Sequence, residues 1–309
     1  CKKRFFDASK EFELAEKLFK KYPFSAVLIW TETGLLEQIM ISLAKKFKIT
    51  VIILQHGLYS DSPELITKNK FHGVIPKASD MILVWGPKFK EYLVENGLEQ
   101  NKIFEIGSMF FDPIFNNAIK PTIFQDYILL ATDPYALMYP HELTVEFMET
   151  YELMIKKIHE IASKQNKRLV IKTHPQKNAN EEEIAKQIDP TITVIKSGDI
   201  LPLIKSSSLV IVTDMSTVIL EAQAMKKPVI SIFLRDYYGT PEPFKSNLCQ
   251  RVNINELDDW VTNVINSNDF KNQVVLQGTK FVDLYLINQG TASESLLKFL
   301  ESVNNTTKI

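Results

Sequence analysis

Glycine is scarce in this chain, with 10 among 309 residues. A glycine-rich loop that brings backbone amides close to a phosphate is therefore hard to find, and an anion would have to be met by side chains and helix ends. Cysteine is scarcer still, at Cys1 and Cys249, which excludes a disulfide framework or a cysteine-held metal site and fits a reducing cytoplasm. Excess charge of either sign is lacking as well: 36 Lys and Arg face 37 Asp and Glu. That balance argues against a protein that coats nucleic acid, while leaving room for a local basic patch at a membrane face. No apolar run reaches the ~20 residues of a membrane helix, and the opening CKKRFF lacks the apolar centre of a signal peptide. A start without methionine reads as an internal point of a longer polypeptide.

What is present is an alternation of short aliphatic strands with longer amphipathic helices, the mark of parallel sheets with crossover helices. Strands are expected at SAVLIW (25–30), ITVIILQ (49–55), MILVW (81–85) and IFEIG (103–107), with helices near 34–47 and 87–96. The pattern restarts at DYILLAT (126–132), RLVIKT (168–173), TITVIK (191–196), SLVIVT (208–213) and PVISIF (228–233). Helices are expected between these near 141–165, 180–188, 199–206 and 216–226. The apolar runs are continuous rather than alternating, so both faces of each strand are buried. The expected fold is α/β, with two doubly wound Rossmann-like domains facing a cleft. Their limits are 1–120 and 121–309, joined by a linker at 110–125. After residue 250 only helices are expected, a tail assigned to the second domain with a return to the first as the alternative.

Ligands of such sheets bind beyond the carboxyl ends of the strands. In the second domain these ends read HPQKN, SGD and DMSTVILEA. His174 offers a ring N–H, and Ser197 and Gly198 offer donors at a helix start. Ser216 and Thr217 open a helix whose free N–H groups and dipole favour a phosphate. Glu221, five residues on, is placed to accept hydrogen bonds from ribose hydroxyls, and the set suits a nucleotide mono- or diphosphate. Each element also has a plainer reading: Asp214, Ser216 and Thr217 as helix caps, Pro175 as a turn residue, Glu221 as a solvated helix residue. In the first domain Glu32, His56 and Asp61 are the candidates for a general base, the imidazole titrating nearest neutrality. Glu32 reads equally as a helix cap, and His56 as a ring that fixes its turn. Trp85 reads as core, His159 as structural, and no metal cluster is seen.

KTHPQKN, SGDILPLIKSSSLVIVTDMSTVILEAQAMKKPVISI and the upstream QHG resemble glycosyltransferases of the GT-B fold that build surface and capsular polysaccharides. The polyglycerol-phosphate transferases and the UDP-N-acetylglucosamine 2-epimerases are related to these, and the resemblance covers most of residues 25–233. It implies a glycosyltransferase that passes a sugar or polyol-phosphate from a nucleotide-activated donor, UDP- or CMP/CDP-linked, to a glycan or lipid-linked acceptor. It further implies phosphate contacts from His174, Ser216 and Thr217, a ribose contact from Glu221, and Ser197 and Gly198 near the base or ribose. The amino-terminal domain would face the acceptor with Glu32, His56 and Asp61. No metal, no further cofactor and no nucleic acid are implied, and the setting is cytoplasmic, at the inner face of the cell membrane. DMST departs from the polyglycerol-phosphate pattern, where a serine pair follows an aspartate and an aromatic residue, so the donor class stays open. Two other readings stand beside this one: a UDP-sugar epimerase, and a non-catalytic nucleotide- or glycan-binding module.

Overall fold

Valine, isoleucine and leucine make up most of the long strands, and the central ones, such as Thr50–Leu54 and Leu209–Thr213, are buried on both faces. The computed structural model describes residues 2–59, 66–133, 144–175, 181–234 and 241–306. Two units emerge, one made of Cys1–Asp112 with Leu284–Ile309, the other of Pro113–Asp283.

The first unit holds a parallel sheet of β1 (Ala26–Ile29), β2 (Thr50–Leu54), β3 (Met81–Val84) and β4 (Ile103–Glu105), in that order. One face carries Val27, Ile29, Val51 and Ile53 into a core with Ile39, Leu43 and Ala44 of the helix Leu35–Phe47 and Phe19 of the helix Lys2–Lys21. The other face, with Ile52, Leu54 and Leu83, packs against Leu296 and Val303 of the helix Ala292–Thr306.

The second unit holds six parallel strands: β5 (Ile128–Ala131), β6 (Leu169–Lys172), β7 (Thr193–Ile195), β8 (Leu209–Thr213), β9 (Val229–Ile232) and β10 (Gln250–Arg251). Their order is β10-β9-β8-β5-β6-β7. The chain winds outward from β5 in one direction and then returns to wind in the other, so the order reverses between β5 and β8. An open sheet leaves its binding crevice at that reversal, at the carboxyl ends. The helix Val145–Lys164 covers one face, with Tyr151, Met154, Ile155 and Ile158 spaced as one helical stripe against Ile128, Leu130, Ile171 and Ile211. Burying each such side chain contributes roughly 1.5–3 kcal/mol.

Every expected strand is present. The expected helices are present too, although the one near 141–165 is described only from Val145 and the one near 180–188 from Glu181. Features that were not expected include the helix Lys2–Lys21, the short helices Ile66–Phe71 and Glu242–Lys245, the short helix Asp112–Phe115 inside the presumed linker, and β10, which overturns the expectation of helices alone after residue 250. The limits 1–120 and 121–309 are corrected too, because the last helix belongs to the first unit. Asp112 accepts hydrogen bonds from the backbone N–H of Ala292 (3.0 Å) and Ser293 (2.8 Å), and Asn288 donates to the carbonyl of Ile106 (3.1 Å). Glycines at the strand ends permit this return. A Cβ at Gly107 would stand 2.3 Å from the carbonyl oxygen of Ile287, and one at Gly86 2.6 Å from that of Tyr285.

Candidate functional site

In the second unit the carboxyl ends of β5 and β8 are tied together at the reversal point. Both strands run into Thr-Asp, and the backbone N–H of Asp133 donates to Thr213 Oγ1 at 2.9 Å. Desolvation, aided by the charge of Asp214, pushes the Asp133 carboxyl well above the usual carboxylate range. Beneath it Thr132 Oγ1 and Tyr151 OH both donate to Glu181 Oε1 at 3.3 Å, and burial raises Glu181 as well. Sequence reasoning missed Asp133 and Glu181. The signal for Asp133 was available, since ATD at 131–133 repeats VTD at 212–214.

One strand over, His174 follows the end of β6 and is half-buried. Desolvation, with a smaller push from the charge of Lys172, holds its imidazole below the ordinary value, so near neutral pH the ring is uncharged and offers one N–H. Beyond β7, Ser197 and Gly198 form an exposed turn, Gly198 with φ +92° and open space where a Cβ would point. Asp199 accepts from the backbone N–H of Leu201 at 3.0 Å.

Ser216 caps the helix Thr217–Ala224, its hydroxyl accepting from the N–H of Val218 at 3.3 Å. The plainer reading of that hydroxyl is thus what the structure shows, and Thr217 stands at the first helical position. Glu221 lies one turn further along. Its Oε2 is buried and has no hydrogen-bond partner among the described residues. Desolvation, then the charge of Asp199, raises its pKa to about 7. That coupling puts the turn after β7 beside the helix after β8. Among the described residues the structure therefore groups Ser197, Gly198, Ser216, Thr217 and Glu221 at one end of this sheet, with His174 at the same end, one strand beyond β5.

The first unit sorts its candidates differently. Glu32 is buried, and its carboxylate accepts from the backbone N–H of Lys77 (2.8 Å), Ala78 (3.1 Å) and Ser79 (2.6 Å). Its oxygens pin the segment that leads into β3. Gln55 is likewise committed, accepting from the N–H of Trp85 at 2.8 Å and donating to Gly57 O at 3.1 Å. Trp85 is core, 4% exposed. His56 stands accessible beyond β2, its ring edge-on to Trp30 and Tyr59, with the Tyr59 hydroxyl 2.9 Å from Nδ1. Partial desolvation there holds the imidazole below its ordinary value, opposed by a backbone hydrogen bond involving Trp30. Asp61 lies outside the described residues. His159 pairs with Asp189 at 3.2 Å, as befits a structural histidine. No group of three or more His, Cys, Asp or Glu among the described residues is placed to hold a metal, and no helix among them is long and apolar enough to cross a membrane.

A sequence model of the UDP-N-acetylglucosamine 2-epimerase family matches residues 36–242, which reach from the helix after β1 to beyond β9. The chain belongs to that family. No curated protein matches the sequence significantly. Among solved structures, the UDP co-structure of S. aureus MnaA is 16% identical over 96% of this chain and 81% of its own, with a TM-score of 0.70. UDP-GlcNAc 2-epimerase from Neisseria meningitidis, bound to UDP-GlcNAc, is 16% identical over the same shares, with a TM-score of 0.65. A glycosyltransferase from Rickettsia africae is 15% identical over 96% of this chain and 82% of its own, with a TM-score of 0.56. At these identities the likeness shows the fold, the paired Rossmann-like architecture called GT-B, which this member of the 2-epimerase family shares.

Proposed function

We propose that this member of the 2-epimerase family is an enzyme acting on a nucleotide-linked sugar, with the nucleotide at the carboxyl ends of β6, β7 and β8. The observation that carries the reading is Glu221 Oε2, buried and without a hydrogen-bond partner among the described residues. Leaving such a group unsatisfied costs about 1–3 kcal/mol, which a ribose hydroxyl would recover by donating to it. Next to it, the start of the helix Thr217–Ala224 favours a phosphoryl group through the positive end of its dipole, and the neutral ring of His174 adds a donor. UDP is the nucleotide favoured, since relatives of this fold are seen with it. Calorimetric titration tests the assignment: His174→Ala should weaken UDP binding about tenfold or more, as the loss of a hydrogen bond to a charged group does. Unchanged affinity overturns it.

The reaction we assign is transfer of the sugar, or of a polyol-phosphate, to a glycan or lipid-linked acceptor. With Glu32 committed to backbone amides, His56 is left as the base among the described candidates, and transfer needs one base to take the proton of the acceptor hydroxyl. Its depressed pKa keeps it free to accept that proton near neutrality. A lipid-linked acceptor would bring the protein to a membrane surface, which co-sedimentation with liposomes tests.

Epimerisation is the second reading, favoured by the family match. It calls for acid and base groups on both faces of the sugar and would consume the nucleotide-sugar with no acceptor present. Incubation with UDP-N-acetylglucosamine alone, followed by NMR, separates the two: a new epimer supports this reading, and an unchanged substrate supports transfer.

A further inference from the structure

Lys172 closes β6 and is 4% exposed. Its ammonium donates to the carbonyl of the adjoining Thr173 at 2.9 Å, and it makes no ion pair among the described residues. Lys90 behaves otherwise, meeting Glu105 at 2.8 Å. A buried ammonium without a counterion is costly, and burial alone accounts for the lowered pKa of Lys172. The strands beside it supply no charge, since its register partners are Ala131 on β5 and Ile195 on β7. Asp133, two residues beyond Ala131, is held toward its protonated form by burial and Asp214. Toward the sheet end, Lys172 and His174 leave the extended chain on one face, and the charge of Lys172 is felt by the His174 ring.

We propose that Lys172 is the countercharge for a phosphoryl group of the bound nucleotide, forming with His174 one anion subsite at the carboxyl end of β6. The inference rests on the nucleotide reading above and adds a binding residue to it. The buried cation has no countercharge among the described residues until a phosphate arrives, so the subsite discriminates by charge: a nucleoside diphosphate gains from it and a nucleoside does not.

The test compares UDP with uridine by calorimetry in the unmodified protein and in Lys172→Met and Lys172→Arg, with inorganic pyrophosphate as a third probe by thermal shift. Lys172→Met should weaken UDP about tenfold or more and leave uridine unchanged, with Lys172→Arg recovering most of the loss. Without ligand the melting temperature of Lys172→Met should hold or rise, because a desolvated charge is gone. Lys172→Gln, which keeps a donor for Thr173 O, runs alongside so that misfolding of one variant leaves the comparison intact. Equal UDP affinity with and without the lysine overturns the inference. Lysine-dependent binding of pyrophosphate with none of UDP or uridine keeps the anion subsite and overturns the nucleotide reading. Failure of the unmodified protein to bind any of the three overturns both.

Discussion

Glu32 and Glu221 are two glutamates at sheet ends, one in each unit, and their surroundings are opposite. Glu32 is saturated: three backbone N–H groups converge on its carboxylate, and its own carbonyl accepts from the Gln38 side chain. Glu221 is starved, with one oxygen sealed from solvent and unpartnered among the described residues. The same residue type thus serves as a fastener in the first unit and as an unfilled acceptor in the second. Burial alone does not mark function; the count of satisfied lone pairs does.

Substitutions can break this contrast. The largest effect is expected for Glu32→Ala, which strands the N–H groups of Lys77, Ala78 and Ser79 and should cost ~3 kcal/mol or more in chemical denaturation, with Glu32→Gln milder. Glu221→Gln should instead leave the protein as stable or more so near pH 7, while lowering UDP affinity. The pH dependence sharpens the difference. The folded pKa of Glu221 is about 7 against an ordinary 4.5, so the folded state keeps a proton that the unfolded chain has released across that window. Its contribution is full below pH 4.5 and is lost as pH rises toward 7, by on the order of 2–3 kcal/mol. Glu221→Gln should remove that slope from a stability–pH profile; a slope that persists would show that another group carries it. Asp112→Ala, which uncaps the helix Ala292–Thr306, should cost about 1–2 kcal/mol. The smallest effect is expected for Ser216→Ala, about 1 kcal/mol for a lost cap, with UDP binding weakened by less than in Glu221→Gln.

The strands were legible because continuous runs such as TVIIL and LVIVT have no other stable home than a sheet buried on both faces. The grouping of Glu221 with the turn at Ser197 and Gly198 followed from reading strand ends, a local property. Three features were illegible for a common reason, namely that each depends on a partner far along the chain. The role of Glu32 depends on amides 45–47 residues away. The return of Ala292–Thr306 depends on an apolar face that β2 and β3 leave open. Lys172 reads as a polar strand terminus until the sheet order shows that its partners on the neighbouring strands are Ala131 and Ile195.

The closure of the first sheet by Ala292–Thr306 also orders the making of the protein. Residues 113–283 form one continuous stretch and can complete their sheet while the chain is still being synthesised. Ile52, Leu54 and Leu83, made far earlier, wait for Leu296 and Val303 to arrive. A ribosome that stops before residue 292 therefore releases a finished second unit joined to a first unit with one face bare, a product that proteases and chaperones can tell from the whole.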